Sequence, residues 1–275
     1  PVYGLHPVKG LLVDNGLVGV LHDSPLGGRE AAVRFPGVEL NCPVPDLTEW
    51  AGMVRRRTVE IALAGKYVAL HDAYLSVAEA LTHGGIENWV KVNIRWVDSE
   101  TVTDKNAAQV LDGMNGVLVP GSFGSRGIEG KISAIWYARA QGVPFLGLCL
   151  GMQVAVVEFA RHVCGMADAH SSEFSRTTAH PVIDLMAGQR GLTDKGGTMR
   201  LGPSLSATGR ESWAFAAYGT QEISERHRHR YEFNNDFRDA VTGAGLVLAG
   251  LSPDGQLVEM VELPGHPWFV GVQFH

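Results

Sequence analysis

From residue 59 onward, short runs of apolar and β-branched residues alternate with stretches of helical periodicity. This alternation is typical of an α/β protein, in which an open, mostly parallel central sheet is covered by helices on both faces. The pattern predicts strands at residues 59–65, 90–97, 116–121 and 143–147. It also predicts one helix that begins after an Asp72 N-cap and stops at Gly84, and a second helix over residues 128–140.

The last third of the chain has a different pattern. In residues 245–263, two apolar runs flank Ser252-Pro253-Asp254-Gly255. Proline fixes φ and glycine relieves strain in such a turn, so we expect an antiparallel hairpin, followed by a final strand in HPWFVGVQFH. Residues 1–57 are expected to form an N-terminal extension with a short helix near 46–57, and residues 58–275 the main domain.

The composition argues against several classes of function. A net charge of −6 provides no basic field that would attract nucleic acid or a membrane surface. The sequence has neither an apolar run of membrane-spanning length nor a secretory signal pattern, so a cytoplasmic protein is expected. Cys42, Cys149 and Cys164 are odd in number and lack paired ligand spacing, which argues against a disulfide framework and a zinc site.

Cys149 lies in the pattern Gly147-Leu148-Cys149-Leu150-Gly151, between a predicted strand and a helical stretch. This is the pattern of a nucleophile elbow with cysteine in the serine position. Small neighbours permit a strained turn that displays the side chain, and the amides that begin the helix favour a thiolate. The alternative is a small buried residue at the end of a strand, the usual environment of a lone cysteine.

A cysteine nucleophile needs a base. His275 follows the last apolar strand, and the carboxyl ends of parallel strands meet at one edge of an open α/β sheet, so it is the best candidate. The alternative for His275 is a frayed terminal residue.

The motifs around these two residues resemble the triad-type, class I glutamine amidotransferases. Within that class, six segments are similar to the amidotransferase domain of the CTP synthase family: GKYVALHDAYLSVAEALTHGG, GVLVPGSFGSRGIEGKI, GLCLGMQVAVVEFAR, GGTMRLG, ERHRHRYEFNN and HPWFVGVQFH. The resemblance extends over residues 46–275 and implies a flavodoxin-like layering of sheet and helices.

The resemblance implies that the chain hydrolyses L-glutamine and supplies ammonia for the ATP-dependent conversion of UTP to CTP. ATP, Mg²⁺ and UTP would bind a synthase domain that precedes this segment, so the chain is expected to be a fragment that itself needs no cofactor or metal. GTP would be an allosteric effector. The synthase domain of the same polypeptide and further copies of the chain, in a tetramer, are the expected partners, with no nucleic acid or membrane.

The resemblance also implies residue roles. Cys149 would form a γ-glutamyl thioester, with His275 as general base and acid. The third residue of the family's catalytic triad is a glutamate two positions after the histidine, and the given sequence does not include it. Glu173 would receive the substrate's α-ammonium group and Arg230 its α-carboxylate. The other substrate and oxyanion positions would be Gly121, Ser122, Phe123, Leu150, Gly151, Met152 and Gln153.

Ser122 departs from the family pattern, which has Pro-Gly-Gly-Phe-Gly where this chain has Pro120-Gly121-Ser122-Phe123-Gly124. If this position requires positive φ, serine costs about 1 kcal/mol or more and displaces an oxyanion-binding amide. If it does not, the hydroxyl adds a hydrogen-bond donor. Ser122 in the first case, together with the triad glutamate that the given sequence does not include, motivates an alternative function, that of a weakened or inactive regulatory or assembly module. A third alternative is another kind of cysteine hydrolase, such as a dienelactone-type enzyme.

Two further motifs surround the expected site. In ERHRHRYE, an extended backbone places the arginines on one face and His227 and His229 on the other. A metal site there lacks an evident third ligand. The glycines of DKGGTMRLG, Gly196 and Gly197, stand beside Arg200, which is typical of a mobile flap that carries a charge; the alternative is an ordinary hairpin turn. The resemblance implies that this segment is a lid that closes over glutamine and responds to GTP.

Overall fold

The computed structural model describes residues 57–185 and 199–275, together with four strands in the preceding segment. Those strands are β1 (Leu11–Val13), β2 (Gly16–Val18), β3 (Glu30–Phe35) and β4 (Val38–Pro43). β1 pairs with β2 and β3 with β4, both in antiparallel orientation. The helix expected near residues 46–57 lies outside the described residues.

Twelve strands and six α-helices follow in the described residues. The strands are β5 (Thr58–Gly65), β6 (Lys91–Asp98), β7 (Gly116–Val119), β8 (Phe145–Leu148), β9 (His170–Ser171), β10 (Pro181–Leu185), β11 (Arg200–Thr208), β12 (Glu222–His229), β13 (Tyr231–Phe233), β14 (Val247–Leu251), β15 (Val258–Glu262) and β16 (Phe269–Val272). The helices are α1 (Leu75–Glu87), α2 (Ala107–Val110), α3 (Ile128–Gln141), α4 (Leu150–His162), α5 (Trp213–Tyr218) and α6 (Arg238–Gly243), and short 3₁₀ helices span His71–Tyr74 and Asn235–Phe237.

Nine strands form the central sheet, in the order β12-β11-β14-β15-β16-β8-β7-β5-β6. The neighbours from β16 to β6 are all parallel, and those from β12 to β16 are all antiparallel. A small second sheet has the order β13-β10-β9. The antiparallel arm includes the predicted hairpin of β14 and β15, which is confirmed, with Gly255 at a φ of +71° in its turn.

Both faces of the inner parallel strands β5, β7, β8 and β16 are buried, whereas the edge strand β6 is largely half-buried or exposed. In β5, Ala62 and Ala64 join a hydrophobic cluster that contains residues of α3 and α4, whereas Ile61 and Leu63 join a second cluster that contains residues of α1 and α5. Successive strand residues point to opposite faces, so a strand covered on both sides is apolar throughout. The predicted fold class is therefore confirmed: a mostly parallel sheet with helices on both faces and antiparallel hairpins in the last third.

The predicted boundaries of the first helix were wrong at both ends. Asp72 lies in the 3₁₀ helix, and α1 begins at Leu75 without a side-chain cap. Gly84 does not stop the helix, which continues to Glu87. Gly84 and Gly85 are both buried, because α1 packs closely on the start of β6. A β-carbon on Gly85 would lie 2.8 Å from the carbonyl oxygen of Val90, the residue before β6. The helix ends where the Asn88 side-chain amide donates to the Gly84 carbonyl at 2.8 Å.

The parallel strands bring three chain segments to one sheet edge. The loop at 120–124 follows β7, Cys149 follows β8, and His275 lies three residues beyond β16. The carboxyl edge of a parallel sheet is where ligands of open α/β folds bind. No helix among the described residues is long and apolar enough to cross a membrane.

Candidate active site

Cys149 is held in a strained backbone conformation between β8 and α4. Its φ of 53° and ψ of −103° are unusual for a residue with a side chain. The flanking glycines make the turn possible: a β-carbon on Gly147 would lie 2.7 Å from the Gly151 carbonyl, and one on Gly151 would lie 2.1 Å from the Val119 oxygen. The Cys149 amide donates to Val272 of β16 at 2.7 Å, which ties the turn to the last strand. The local geometry is that of a nucleophile elbow.

The Cys149 thiol is buried, with 5% of the residue exposed. Burial raises its pKa to about 12, and the carboxylates of Glu232 and Glu173 add to the increase. The Leu150 amide and the Gln273 side chain, whose Nε2 lies 3.7 Å from Sγ, lower the pKa by a smaller amount. The helix amide favours the thiolate, as expected, but burial has the larger effect on the thiol pKa. The sulfur keeps its proton until a base removes it.

His275 lies beside Cys149, across Gly121. A β-carbon on Gly121 would be 2.7 Å from the His275 Cε1 and 3.4 Å from the Cys149 Cβ, so the ring and the cysteine touch the same small space. The His275 backbone amide donates to Arg226 of β12 at 2.9 Å. Burial, followed by the nearby charges of Arg226 and Arg228, lowers the pKa of His275 below its ordinary value. The imidazole is consequently neutral at pH 7 and able to accept a proton.

The loop from Pro120 to Gly124 is braced by two lysines. Among the described residues other than glycine, only Trp89 and Cys149 have positive φ, so Ser122 lies in an ordinary backbone region. The Ser122 Oγ accepts a hydrogen bond from the buried Lys131 Nζ at 2.7 Å, and the Lys66 ammonium donates to the Phe123 carbonyl. Serine therefore causes no backbone strain of the kind that a positive φ would require.

A cavity of about 400 Å³ opens beside Cys149. Glu173 and Arg230 lie in its wall and attract each other. Burial raises the pKa of Glu173, and Arg230 opposes that rise. The Gln153 amide donates to the Tyr231 carbonyl at 2.8 Å and to Gln273 Oε1 at 3.1 Å, which fixes its orientation. The cavity thus presents the carboxylate of Glu173 together with the guanidinium groups of Arg226, Arg228 and Arg230.

The structure brings most of the predicted site residues together. The cavity lining includes Gly121, Ser122, Phe123, Cys149, Leu150, Gln153, Glu173, Arg230 and His275. Two predicted residues have other positions: Gly151 packs on Val119 of β7, and Met152 is fully buried against Gly271 of β16. Gly196 and Gly197 lie outside the described residues.

The structure corrects the position of Arg200. It was expected on a mobile lid, but it begins β11, opposite His229 of β12, and it does not line the cavity formed by the described residues. Its guanidinium donates to Glu259 Oε1 at 2.6 Å and lies 3.6 Å from Glu232 Oε1. Paired with two buried carboxylates, Arg200 is part of the core of the antiparallel arm.

The predicted alternation in ERHRHR is confirmed. Arg226 and Arg228 are exposed, whereas His227 and His229 are buried and lie 2.8 Å apart, from Nδ1 to Nε2. Burial lowers the pKa of His227 to about 3 and that of His229 to about 4, so both are neutral at pH 7. Among the described residues no group of three or more histidine, cysteine or acidic side chains could hold a metal ion.

Sequence reasoning missed Gln273, Lys131 and Glu232, all buried beside the site. Gln273 precedes His275 by two positions at the end of an apolar strand, so its spacing was a usable signal. Lys131 and Glu232 stand in ordinary element patterns, and only the tertiary structure brings them near Cys149.

The elbow, the neutral histidine and the charged cavity on an α/β sheet are typical of enzymes with a cysteine nucleophile. The model of the glutamine amidotransferase class-I family matches residues 69–275. The chain therefore belongs to the class I glutamine amidotransferase family.

Within that family the similarity is to CTP synthases. The CTP synthase of Clostridium acetobutylicum is 56% identical over 261 residues, which cover 93% of this chain and 48% of the relative. That of Ruminiclostridium cellulolyticum is 53% identical over 275 residues, which cover 97% and 51%. The Trypanosoma brucei CTPS glutaminase domain, solved with bound acivicin, is 37% identical with a TM-score of 0.74, over 79% of this chain and 85% of that domain. The chain spans about half the length of the curated relatives it matches.

Proposed function

We propose that this chain hydrolyses L-glutamine to glutamate and ammonia. The supporting observation is the position of the Cys149 sulfur at the strained elbow, with the neutral His275 ring across Gly121 and a charged cavity in front. Glu173 and Arg230 in the cavity wall are complementary to the α-ammonium and α-carboxylate groups of an amino acid. The remaining space would hold the side-chain amide against Cys149.

The reaction would proceed in two stages. His275 accepts the thiol proton as the Cys149 sulfur attacks the amide carbon, and the Leu150 amide, which already hydrogen-bonds the sulfur, stabilises the oxygen anion that forms. The protonated His275 then donates to the departing nitrogen, which leaves as ammonia, and a γ-glutamyl thioester remains. Water, deprotonated by His275, cleaves the thioester and releases glutamate with the free thiol.

We further propose that the ammonia is used to convert UTP to CTP with ATP. The similarity to CTP synthases, at 56% and 53% identity, supports this proposal. The chain matches about half of their length. ATP, Mg²⁺ and UTP would bind the other half, GTP would control glutamine hydrolysis, and the full-length protein would be a tetramer. None of these groups takes part in the chemistry assigned to Cys149 and His275.

Replacement of Cys149 by alanine tests both parts. In the complete polypeptide, C149A should abolish CTP formation with glutamine and leave CTP formation with ammonium chloride, since free ammonia bypasses the thioester. C164A is the matched control, because Cys164 lies outside the cavity lining and should change neither activity. Loss of both activities in C149A would refute the assigned role and indicate a structural one.

Labelling by a glutamine analogue separates a working site from a regulatory module. A chloro-substituted analogue such as acivicin should alkylate Cys149 in the wild-type chain, and neither C149A nor a protein saturated with glutamine should be labelled. An unlabelled wild-type chain that is correctly folded would favour the regulatory alternative.

A further inference from the structure

Lys131 is a completely buried amine behind the cavity wall. It lies in the first turn of α3, and its Nζ donates to Ser122 Oγ at 2.7 Å. Within the part of the chain that the structure describes, no carboxylate forms an ion pair with it. A buried ammonium without a carboxylate partner is costly, so proteins rarely contain one without a use for it.

A second lysine, Lys66, is close enough to repel the charge of Lys131. Lys66, at the end of β5, donates to the Phe123 carbonyl of the same loop that Lys131 holds through Ser122. Burial, with the repulsion of Lys66 added, lowers the pKa of Lys131 to about 7. Among the described residues, a negative charge on the Cys149 sulfur opposes this effect. The charged form of Lys131 is therefore favoured when the sulfur is negative.

Lys131 contacts the loop that borders the nucleophile. Ser122, which accepts the hydrogen bond from Lys131, follows Gly121 in the chain. A β-carbon on Gly121 would lie 3.4 Å from the Cys149 Cβ. Ser122 and Cys149 line the same cavity, and Lys131 lies behind Ser122.

We propose that Lys131 is a positioning residue that holds the loop at 120–124 through Ser122 and stabilises negative charge on the Cys149 sulfur. The proposal rests on the proposed nucleophilic role of Cys149. It assigns to Ser122 the function of an anchor for the buried ammonium.

Other titratable groups also face the sulfur and must be separated from Lys131. Glu232 of β13 and Glu173, after β9, oppose ionisation of the thiol, and His275 lies across Gly121. All three remain in place when only Lys131 is changed. The rate at which iodoacetamide alkylates Cys149 as a function of pH reports directly on the thiolate and requires no glutamine.

The experiment compares K131M with the wild type in the complete polypeptide. We expect alkylation of Cys149 to be about tenfold slower in K131M at pH 8, with the pH profile displaced to higher pH, because one tenfold change corresponds to one pH unit for a thiol. Methionine matches the length of lysine and removes an unpaired buried charge, so the variant should unfold at the same or a higher temperature. K131Q, with a polar end group, is the second variant and carries the same expectation.

Two controls complete the test. K105M removes an exposed lysine and should leave the profile unchanged. S122A removes the anchor but keeps the charge, and it should shift the profile less than K131M does. The proposal would be overturned if the pH profile of Cys149 alkylation were unshifted in K131M and K131Q. It would also be overturned if the alkylation rate in these variants decreased by the same factor at every pH. Because alkylation is independent of glutamine hydrolysis, this failure is distinguishable from a failure of C149A to lose glutaminase activity.

Discussion

Gly151 shows how a single hydrogen atom in place of a side chain positions the nucleophile. A β-carbon here would lie 2.1 Å from the Val119 carbonyl oxygen, and backbone cannot move aside as a flexible side chain can. G151A should therefore push α4 away from β7, destabilise the fold by about 1–3 kcal/mol or more, and slow alkylation of Cys149. Urea unfolding and iodoacetamide labelling measure the two effects.

The control for this prediction is G243A. Gly243 ends α6 and has open space around its β-carbon position without positive φ, so alanine should change stability by less than about 0.5 kcal/mol. Equal stability of G151A and G243A would contradict the close approach of α4 to β7.

Arg226 sets the protonation state of the proposed base. Burial is the largest cause of the lowered pKa of His275, and the charge of Arg226 is the second largest. R226Q should raise that pKa, so a higher pH is needed to keep the imidazole neutral and the acid limb of the glutaminase profile should move to higher pH. The measurement is kcat/KM for glutamine between pH 5 and 8, with R210Q, a change at an exposed arginine, as control. An acid limb that stays in place, or moves to lower pH, would exclude His275 as the titrating base.

At the scale of elements, the buried group of Arg200, His227, His229, Glu232 and Glu259 joins four strands, β11, β12, β13 and β15. One guanidinium serves two carboxylates, and Glu259 has the shorter contact. Burial raises the pKa of Glu232 to about 8; Arg200 opposes the rise and Glu259 adds to it. Glu232 is thus largely protonated at pH 7 and becomes an anion near Cys149 at higher pH.

E232Q tests this assignment through its pH dependence. Well below its pKa of about 8 the wild-type carboxyl is mostly protonated, so Cys149 of E232Q should be alkylated at nearly the wild-type rate. Above pH 8 the wild type gains a negative charge that opposes the thiolate, so E232Q should react faster, by a ratio that grows with pH. E222Q, an exposed change on β12, should show no such growth. A constant ratio across the range would mean that Glu232 does not titrate there.

The elements differ in how far the sequence could predict them. Strands β5 to β8 and helix α3 were predicted within a few residues. Strands β5, β7 and β8 are apolar because both of their faces are buried, and β6 and α3 show regular periodicity. The start of α1 and the role of Gly84 and Gly85 could not be predicted, since a glycine at a helix stop and a glycine at a close helix–strand contact look the same in sequence. The position of Arg200 depends on partners distant in the chain, Glu232 and Glu259, which no local pattern reveals.

At the scale of the whole molecule, the site joins two kinds of structure. Cys149 and His275 follow parallel strands whose residues are almost all buried, whereas Arg226 and Arg228 belong to β12, the outermost strand of the antiparallel arm, where exposed and buried residues alternate. The sequence predicted Glu173, Arg230 and Gln153 as site residues through family resemblance, Cys149 from the elbow pattern, and His275 from the carboxyl-edge rule for parallel strands. The structure places all five in the lining of one cavity. The depth of the thiol and its raised pKa follow from packing and were not predictable.

This difference in burial predicts which strands unfold locally most often and which strands bound substrate protects from hydrogen exchange. Amides of β7 and β8 should exchange with solvent last, and those of the edge strand β12 much earlier, because local opening follows burial. In C149A, glutamine would bind without being consumed, and at a hundred times its Kd it should stabilise the binding-competent state by about 2.7 kcal/mol. The resulting protection should be concentrated in β12, since Arg226 and Arg228 of this strand line the cavity and the His275 amide donates to the Arg226 carbonyl.

Hydrogen exchange followed by mass spectrometry, with asparagine as the shorter control ligand, distinguishes the possible results. Protection of β12 by glutamine but not by asparagine requires that the arginine-bearing arm and the nucleophile-bearing strands contact one ligand of defined length. Protection confined to β6, at the opposite edge of the sheet, would place the ligand away from Cys149 and would contradict the assigned cavity. Because β12 exchanges through local opening, the same data also measure how much of the arm's stability depends on substrate rather than on its own buried charges.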